Sequence, residues 1–225
     1  MEKARTNRFA EFERTKARLT PFNRHTHEYE AWFTENRYAY LSELRAIGLL
    51  VPRAGVSVEI GIGSGRFAKP LGINIGIEPS SAMRNIAHKK SIDVIDGVAE
   101  SLPIASSKLD NALTVTTICF VAGLEASLRE VYRVLKPTGR LVVGFVDRES
   151  FLGRVYEKQK RTSVFYSVAN FYSTDEVLYQ LKAVGFSKFE TKQTIFHDPR
   201  KMRSVEAMKN GHGEGAFVVL AASKK

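Results

Sequence analysis

Apolar positions follow two rhythms along this chain. Val56, Val58, Ile60 and Ile62 stand at alternate positions, the period of a strand. Further strands are expected at NIGIEPS (74–80), just before DGVAESLP (96–103), at LDNALTVTTICFV (109–121), at LVVGFVD (141–147), and at KQTIF and AFVVLAAS near the C-terminus. Between them the spacing changes to three and four. Leu124, Leu128, Val131, Tyr132 and Leu135 predict a helix ended before Pro137, with Gly139 in the turn. Ser173 and Glu176 have capping-box spacing, Val177, Leu178 and Leu181 face a sheet, and Gly185 sits where that helix stops. Ahead of the first strand, Tyr29, Trp32, Phe33, Tyr40, Leu41, Leu44 and Ile47 predict one apolar face on one or two helices, a cap. Strands alternating with helices imply a parallel sheet, and a terminal pair with no helix between them implies one antiparallel strand.

The first strand runs into a turn reading Glu-x-Gly-x-Gly-x-Gly, with Glu59, Gly61, Gly63 and Gly65 as its fixed members. Such glycines let backbone turn sharply and approach a flat ligand. A dinucleotide turn wants a third small residue beside the pyrophosphate, and Arg66 stands at that place. The acid before the glycines instead suits a ligand with an ammonium group and no phosphate, which favours S-adenosylmethionine (SAM). Glu78 closes the second strand, where an acid would accept hydrogen bonds from both ribose hydroxyls. A tight strand-to-helix turn without a ligand is the plainer reading of the same residues.

VEIGIGSGRFAKPL, GIEPSSAM, GVAESLPIASSKLDNALTV and LREVYRVLKPTGRLVVG resemble successive motifs of the class I SAM-dependent methyltransferases, in particular the small-molecule group that includes quinone-biosynthesis enzymes. The resemblance covers roughly residues 29–147, and FYSTDEVLYQLKAVGF is similar to that family's last helix. It implies an α/β, Rossmann-like, seven-stranded and mostly parallel sheet with one antiparallel C-terminal strand, helices on both faces and an N-terminal helical cap. It implies SAM as cofactor and S-adenosylhomocysteine as product; no metal is expected, since the histidines have no Asp, Glu or Cys partner at metal-ligand spacing. Glu59 would hold the SAM amino group, Glu78 the ribose, and Ala99 with Glu100 the adenine. Gly61, Ile62, Gly63, Ser64, Gly65, Pro79, Thr116 and Thr117 complete the expected cofactor set. Two departures from the family pattern stand out. Val98 stands where many relatives place an acid against the adenine amine, and Cys119 with Phe120 stand where many carry a His-His pair.

The domain reading is a basic arm and cap over residues 1–50 and a SAM-binding unit over 51–225, with a lid-like insertion at 147–173. Methyl transfer from a sulfonium is an in-line displacement, so orientation and exclusion of water carry most of the catalysis. Tyr29, Trp32 and Phe33 would close over the methyl group, and their ring faces favour a cation. Cys119 and Phe120 would border the substrate. The aromatic, basic insertion reads as an amphipathic helix with a solvated face, as a lid bringing Arg148, Phe151, Tyr156 and Tyr166, or as both. Tyr29 and His197 are the catalytic candidates, His197 as a proton acceptor at the end of the sixth strand.

With 225 residues, 44% of them hydrophobic, the chain can bury one sizeable core. No apolar run approaches the ~20 residues of a membrane span, and the N-terminus has no hydrophobic signal core, so a cytoplasmic protein without membrane contact is expected. A single cysteine excludes an internal disulfide, and the five histidines lack metal-ligand spacing. The formal net charge is +10, with Lys3, Arg5, Arg8, Arg14, Lys16, Arg18 and Arg24 clustered near the N-terminus. Such a surface could track RNA phosphates, which makes an RNA methyltransferase the rival reading. Against it, Thr116-Thr117-Ile118-Cys119 holds neither a Pro-Pro-aromatic segment nor a Pro-Cys nucleophile. A small-molecule substrate is preferred, with the charge suited to steering an acidic one. A SAM-binding regulator without turnover is the third reading.

Overall fold

The computed structural model describes residues 18–225, so Lys3, Arg5, Arg8, Arg14 and Lys16 of the expected arm lie outside the described residues. Helices α1 (Thr20–Arg24), α2 (Thr26–Glu35) and α3 (Arg37–Gly48) precede the first strand. Pro21 stands in the first turn of α1, where a missing N–H costs the helix nothing. The chain continues through β1 (Ser57–Ile60), β2 (Ile75–Ile77), α4 (Ser81–Lys89), β3 (Asp93–Ile95), β4 (Leu109–Val115), α5 (Leu124–Val134) and β5 (Leu135–Val146). It ends with α6 (Phe151–Gln159), α7 (Thr174–Val184), β6 (Phe186–Thr194), β7 (Lys209–Asn210) and β8 (Phe217–Lys224).

All strands join one sheet in the order β3-β2-β1-β4-β5-β8-β6-β7. Pairs from β3 through β5 are parallel, and β8 runs antiparallel between β5 and β6. The strand beyond the seven expected is β7, whose two residues pair with Lys192 and Gln193 and are too short to leave an alternation in sequence. The fourth strand is shorter than its apolar run, because Thr116 turns into the left-handed region at φ 49°.

Alternation along the central strands feeds two cores. Leu141, Val143 and Phe145 of β5 and Val218, Leu220 and Ala222 of β8 pack with Leu128 and Val131 of α5 and Val177 and Leu181 of α7. Val142, Phe217, Val219 and Ala221 point the other way, to Phe33 of α2, Ala46 and Ile47 of α3, and Ala87 of α4. Helices thus cover both faces, as a parallel sheet buried on both sides requires. The capping box at Ser173 and Glu176 is formed, and Gly185 closes α7 at φ 115°.

The strand order reverses direction of growth between β1 and β4. Loops leaving adjacent carboxyl ends part there and leave a crevice, the place where open α/β sheets bind ligands. Among the described residues no helix is long and apolar enough to cross a membrane.

One buried acid holds the segment after β5. Asp147 accepts from the Glu149 N–H (2.8 Å) and from the Thr174 hydroxyl (2.6 Å) and N–H (3.2 Å), which joins the start of residues 147–173 to their end. Asp147→Ala should therefore cost about 1–3 kcal/mol of stability and speed proteolysis within this segment first, as checked by denaturant unfolding and limited digestion. Unchanged cleavage there would remove Asp147 as the clasp.

Candidate functional site

The turn after β1 is built by steric exclusion. Gly61 has φ +69°, and a Cβ on it would lie 2.2 Å from Thr117 Cγ2, while the Thr117 hydroxyl donates to the Gly61 carbonyl at 3.1 Å. At Gly63, φ +55°, a Cβ would meet the Tyr29 hydroxyl at 3.1 Å. Gly65 plays a packing part, since a Cβ there would strike Ile92 at 2.3 Å. The turn's N–H groups are spent inside the protein. Those of Gly61 and Ile62 donate to the Ile77 carbonyl at 2.8 and 3.1 Å, that of Gly63 to Glu78 at 2.9 Å, and that of Gly65 to Ile62 at 2.9 Å. A pyrophosphate needs such donors free.

Two acids lie beneath the turn. Glu59 is 1% exposed, and its Oε2 has no hydrogen-bond partner among the described residues. Burial pushes its pKa well above the usual carboxylate range, against the lowering effect of the Ala68 N–H and with a further rise from the Glu78 charge. Glu78 accepts from the N–H groups of Ser80 (2.8 Å) and Gly63 (2.9 Å), and burial still raises it to about 7. An orphaned, buried carboxylate beside a turn that a Cβ would fill fits a ligand bringing a cation and hydroxyl donors, as SAM does.

A cavity beside the turn is lined by Gly61, Gly63, Glu78, Pro79, Val98, Ala99, Thr116 and Thr117; Glu59 is not among its lining residues. Ile62 is buried beneath the turn, and the Ser64 hydroxyl donates to Glu30 of α2. Glu100 turns away and accepts from the Ala122 N–H at 2.6 Å, bracing the loop before α5.

A second cavity of ≈ 170 Å³ adjoins the first. Apolar cavities near ~150 Å³ take up a benzene-sized ring, so this chamber admits a single-ring ligand. Phe22, Tyr29, Thr116 and Phe120 line both spaces and form the boundary between them. The chamber wall includes Trp32, Phe33, Cys119 and Tyr166 from the sequence-predicted set, together with Tyr156. Burial, with the charges of Glu59, Glu78 and Glu30, holds the Tyr29 phenol far above its ordinary pKa, so it donates and does not accept protons. Burial pushes the Cys119 thiol up to about 12, and its Sγ–H donates to the Thr116 carbonyl at 3.3 Å. That is a packed thiol, without thiolate character.

Arg148, Phe151 and His197 do not line the chamber. Arg148 pairs with Glu176 and Glu149 on the surface side of the segment, and Phe151 packs against the core on the α2–α3 face. His197 lies beyond the end of β6, is 78% exposed and pairs with Glu206 at 2.7 Å.

Two chamber residues fell outside the sequence expectation. Glu43 of α3 is 5% exposed, and burial pushes its carboxyl to about 8. It shares a helix face with Tyr40 and Ile47, and a charge on an apolar face was the readable signal. Glu28 of α2 stands at the mouth, where the His25 hydrogen bond holds it below the usual range. The left-handed backbone of Thr116, β-branched and on the boundary, is a strained position of the kind found at functional sites. Among the described residues no group of three or more His, Cys, Asp or Glu side chains could hold a metal ion.

Residues 58–143 match a family model described as a methyltransferase domain. A crystal structure from Thermotoga maritima, described as a SAM-dependent methyltransferase, possible histamine N-methyltransferase, is 51% identical, with TM-score 0.90, and covers 92% of this chain and 100% of that one. An uncharacterized protein of Methanocaldococcus jannaschii is 42% identical over 206 residues, 92% of this chain and all of its own length. A ubiquinone/menaquinone biosynthesis C-methyltransferase of Campylobacter jejuni is 31% identical over 143 residues, 54% of this chain and 61% of that protein.

The raised acids have a consequence for stability. Glu43, Glu59 and Glu78 bind more protons folded than unfolded at any pH above 4.5 and below their raised native values, so stability falls as pH rises through that window. The melting temperature of the ligand-free chain should drop between about pH 5 and about pH 8, and Glu43→Gln should reduce the drop by on the order of 5 °C. An identical slope in the variant would show that Glu43 is not buried as a charge.

Proposed function

The chain belongs to the class I SAM-dependent methyltransferases, and on that premise we propose that it methylates a small-molecule amine with an apolar, ring-sized body. The observation that supports the reading is the shared boundary of Phe22, Tyr29, Thr116 and Phe120, where a ring-sized chamber adjoins the glycine-turn cavity. In this reading Glu59 faces the cofactor's ammonium, Glu78 receives its ribose hydroxyls, and Pro79, Val98 and Ala99 pack against its adenine. Gly61 and Gly63 allow the close approach, and Thr116 and Thr117 support the methyl end. When bound, the cofactor supplies a methyl group activated by its sulfonium.

The protein's share is positional. Aromatic faces around the boundary favour positive charge over a neutral carbon by about 0.5–2 kcal/mol per ring contact. Walls of ring and aliphatic carbon exclude water, which strengthens each remaining polar contact. An amine is favoured over the acidic substrate suggested by net charge, because the described lining holds Glu28 and Glu43 and neither lysine nor arginine. The Thermotoga relative, described as a possible histamine N-methyltransferase, supports the same class. The charge of +10 is a property of the whole surface and does not describe the chamber. A ring-sized chamber favours a free small molecule over RNA, and turnover separates this reading from that of a SAM-binding regulator.

SAM or S-adenosylhomocysteine should raise the melting temperature while NAD does not, since only a ligand selective for the native state stabilises it. Glu78→Ala should weaken SAM binding by about 1–3 kcal/mol in calorimetry, as two hydroxyls lose a charged acceptor. With methyl-labelled SAM, label should pass to arylalkylamines and the transfer should fall sharply in Trp32→Ala. Label that follows RNA and disappears on nuclease treatment would replace this reading by the RNA one.

A further inference from the structure

Glu43 is an acid that the fold itself does not use. It lies on the buried face of α3, 5% exposed, with its side chain in the chamber wall. Among the described residues no hydrogen bond or ion pair reaches its carboxyl, and burial alone displaces its titration. An acid left unpartnered in an apolar wall costs several kcal/mol relative to a well-packed hydrocarbon, so its presence points to a ligand that supplies the partner.

We propose that Glu43 receives the acceptor's amine, accepts one of its N–H protons, and thereby leaves the nitrogen lone pair free toward the boundary of Tyr29, Thr116 and Phe120. This assignment rests on the methyl-transfer reading above. The step is a proton transfer: one N–H bond of the ammonium breaks, its electron pair stays on nitrogen, and an O–H bond forms on the Glu43 carboxylate. No oxidant, metal or second base is called for.

The neighbouring groups leave this proton to Glu43. Burial holds the phenols of Tyr29, Tyr166 and Tyr172 protonated, and holds Tyr156 and the Cys119 thiol so up to about 12. Glu28 at the mouth stays ionised under the influence of His25. Asp198 and Arg200 pair with each other and do not line the chamber. Burial keeps Glu43 itself protonated up to about 8 in the free protein, a value matched to exchanging a proton with an amine near neutrality. An ammonium entering at neutral pH therefore displaces one proton to solvent, whichever of the two groups holds the proton left behind.

The test uses the full chain saturated with S-adenosylhomocysteine, so that no turnover occurs, and 2-phenylethylamine against its neutral isostere 2-phenylethanol. Calorimetry at about pH 7 in two buffers of different ionisation heat counts the protons released. The amine should bind at least about tenfold tighter than the alcohol and release about one proton per molecule bound. Glu43→Gln should abolish both the preference and the release while binding S-adenosylhomocysteine within about twofold of the wild type and melting no lower than it. With labelled SAM, its kcat/KM for the amine should fall by about 100-fold or more, with partial recovery in Glu43→Asp. Equal binding of amine and alcohol by the wild type, or wild-type methylation of the amine by Glu43→Gln, overturns the assignment. Label passing to hydroxyl or carbon acceptors and not to amines overturns it while leaving methyl transfer intact, whereas failure to bind SAM removes both.

Discussion

Everything at this site depends on the reversal of strand order between β1 and β4. Because β2 and β3 grow to one side of β1 while β4 and β5 grow to the other, the loops after Ile60 and Val115 diverge over adjacent carboxyl ends. The crevice they leave is narrow. It stays open because the residues at its floor have no Cβ to fill it: Gly61 lies against Thr117, and Gly63 lies beneath Tyr29. The sheet supplies the gap, and the glycines decide that backbone, with its fixed polarity, forms its walls.

Around that gap the chain buries acids that the fold alone would not choose. Glu59 and Glu43 are almost completely buried, one with an orphaned oxygen and the other without hydrogen bond or ion pair among the described residues. Uncompensated burial of an acid is among the largest single losses a fold sustains, and it is tolerated only where the surplus from the cores is ample. Here both faces of an eight-stranded sheet supply that surplus. Glu43 stands in the wall of the aromatic chamber, whereas Glu59 lies at the end of β1, directly before the glycine turn that borders the other cavity.

Much of this was legible in sequence, and the illegible parts share a cause. An alternating run located β1, unbroken apolar runs located β5 and β8 because the middle of the sheet is buried on both faces, and the Ser173 to Gly185 signals located α7 because caps are local chemistry. Glu59 and Glu78 could be read because each directly adjoins a glycine turn or a strand end. Glu43 left only the weak signal of a charge on an apolar helix face, since the chamber it borders is assembled from segments as far apart as Phe22, Phe120 and Tyr172. His197 misled for the reverse reason. The end of a strand indicates a side of the sheet, but the chain beyond Thr194 turns outward to Glu206, and nothing local forecasts that pairing. The early end of β4 is another such case, set by Thr116 in a backbone conformation its side chain disfavours.

The N-terminal helices are joined to the glycine turn by specific polar contacts. Glu30 of α2 accepts from the Ser64 hydroxyl and, at 2.5 Å, from the Arg66 guanidinium, and it draws Lys90 to 3.7 Å. Asn23 of α1 accepts from the Ser80 hydroxyl at 2.7 Å, beside the backbone that holds Glu78. The Tyr40 hydroxyl of α3 donates to the Arg66 carbonyl at 2.7 Å, and Arg66 stacks over Phe33. Each link has one end on a helix that walls the aromatic chamber and the other on the turn or strand end beneath the first cavity. Arg66, the residue that argued against a dinucleotide, thus ties the glycine turn to both helices: its side chain meets Glu30 and Phe33 of α2, and its carbonyl receives the Tyr40 hydroxyl of α3.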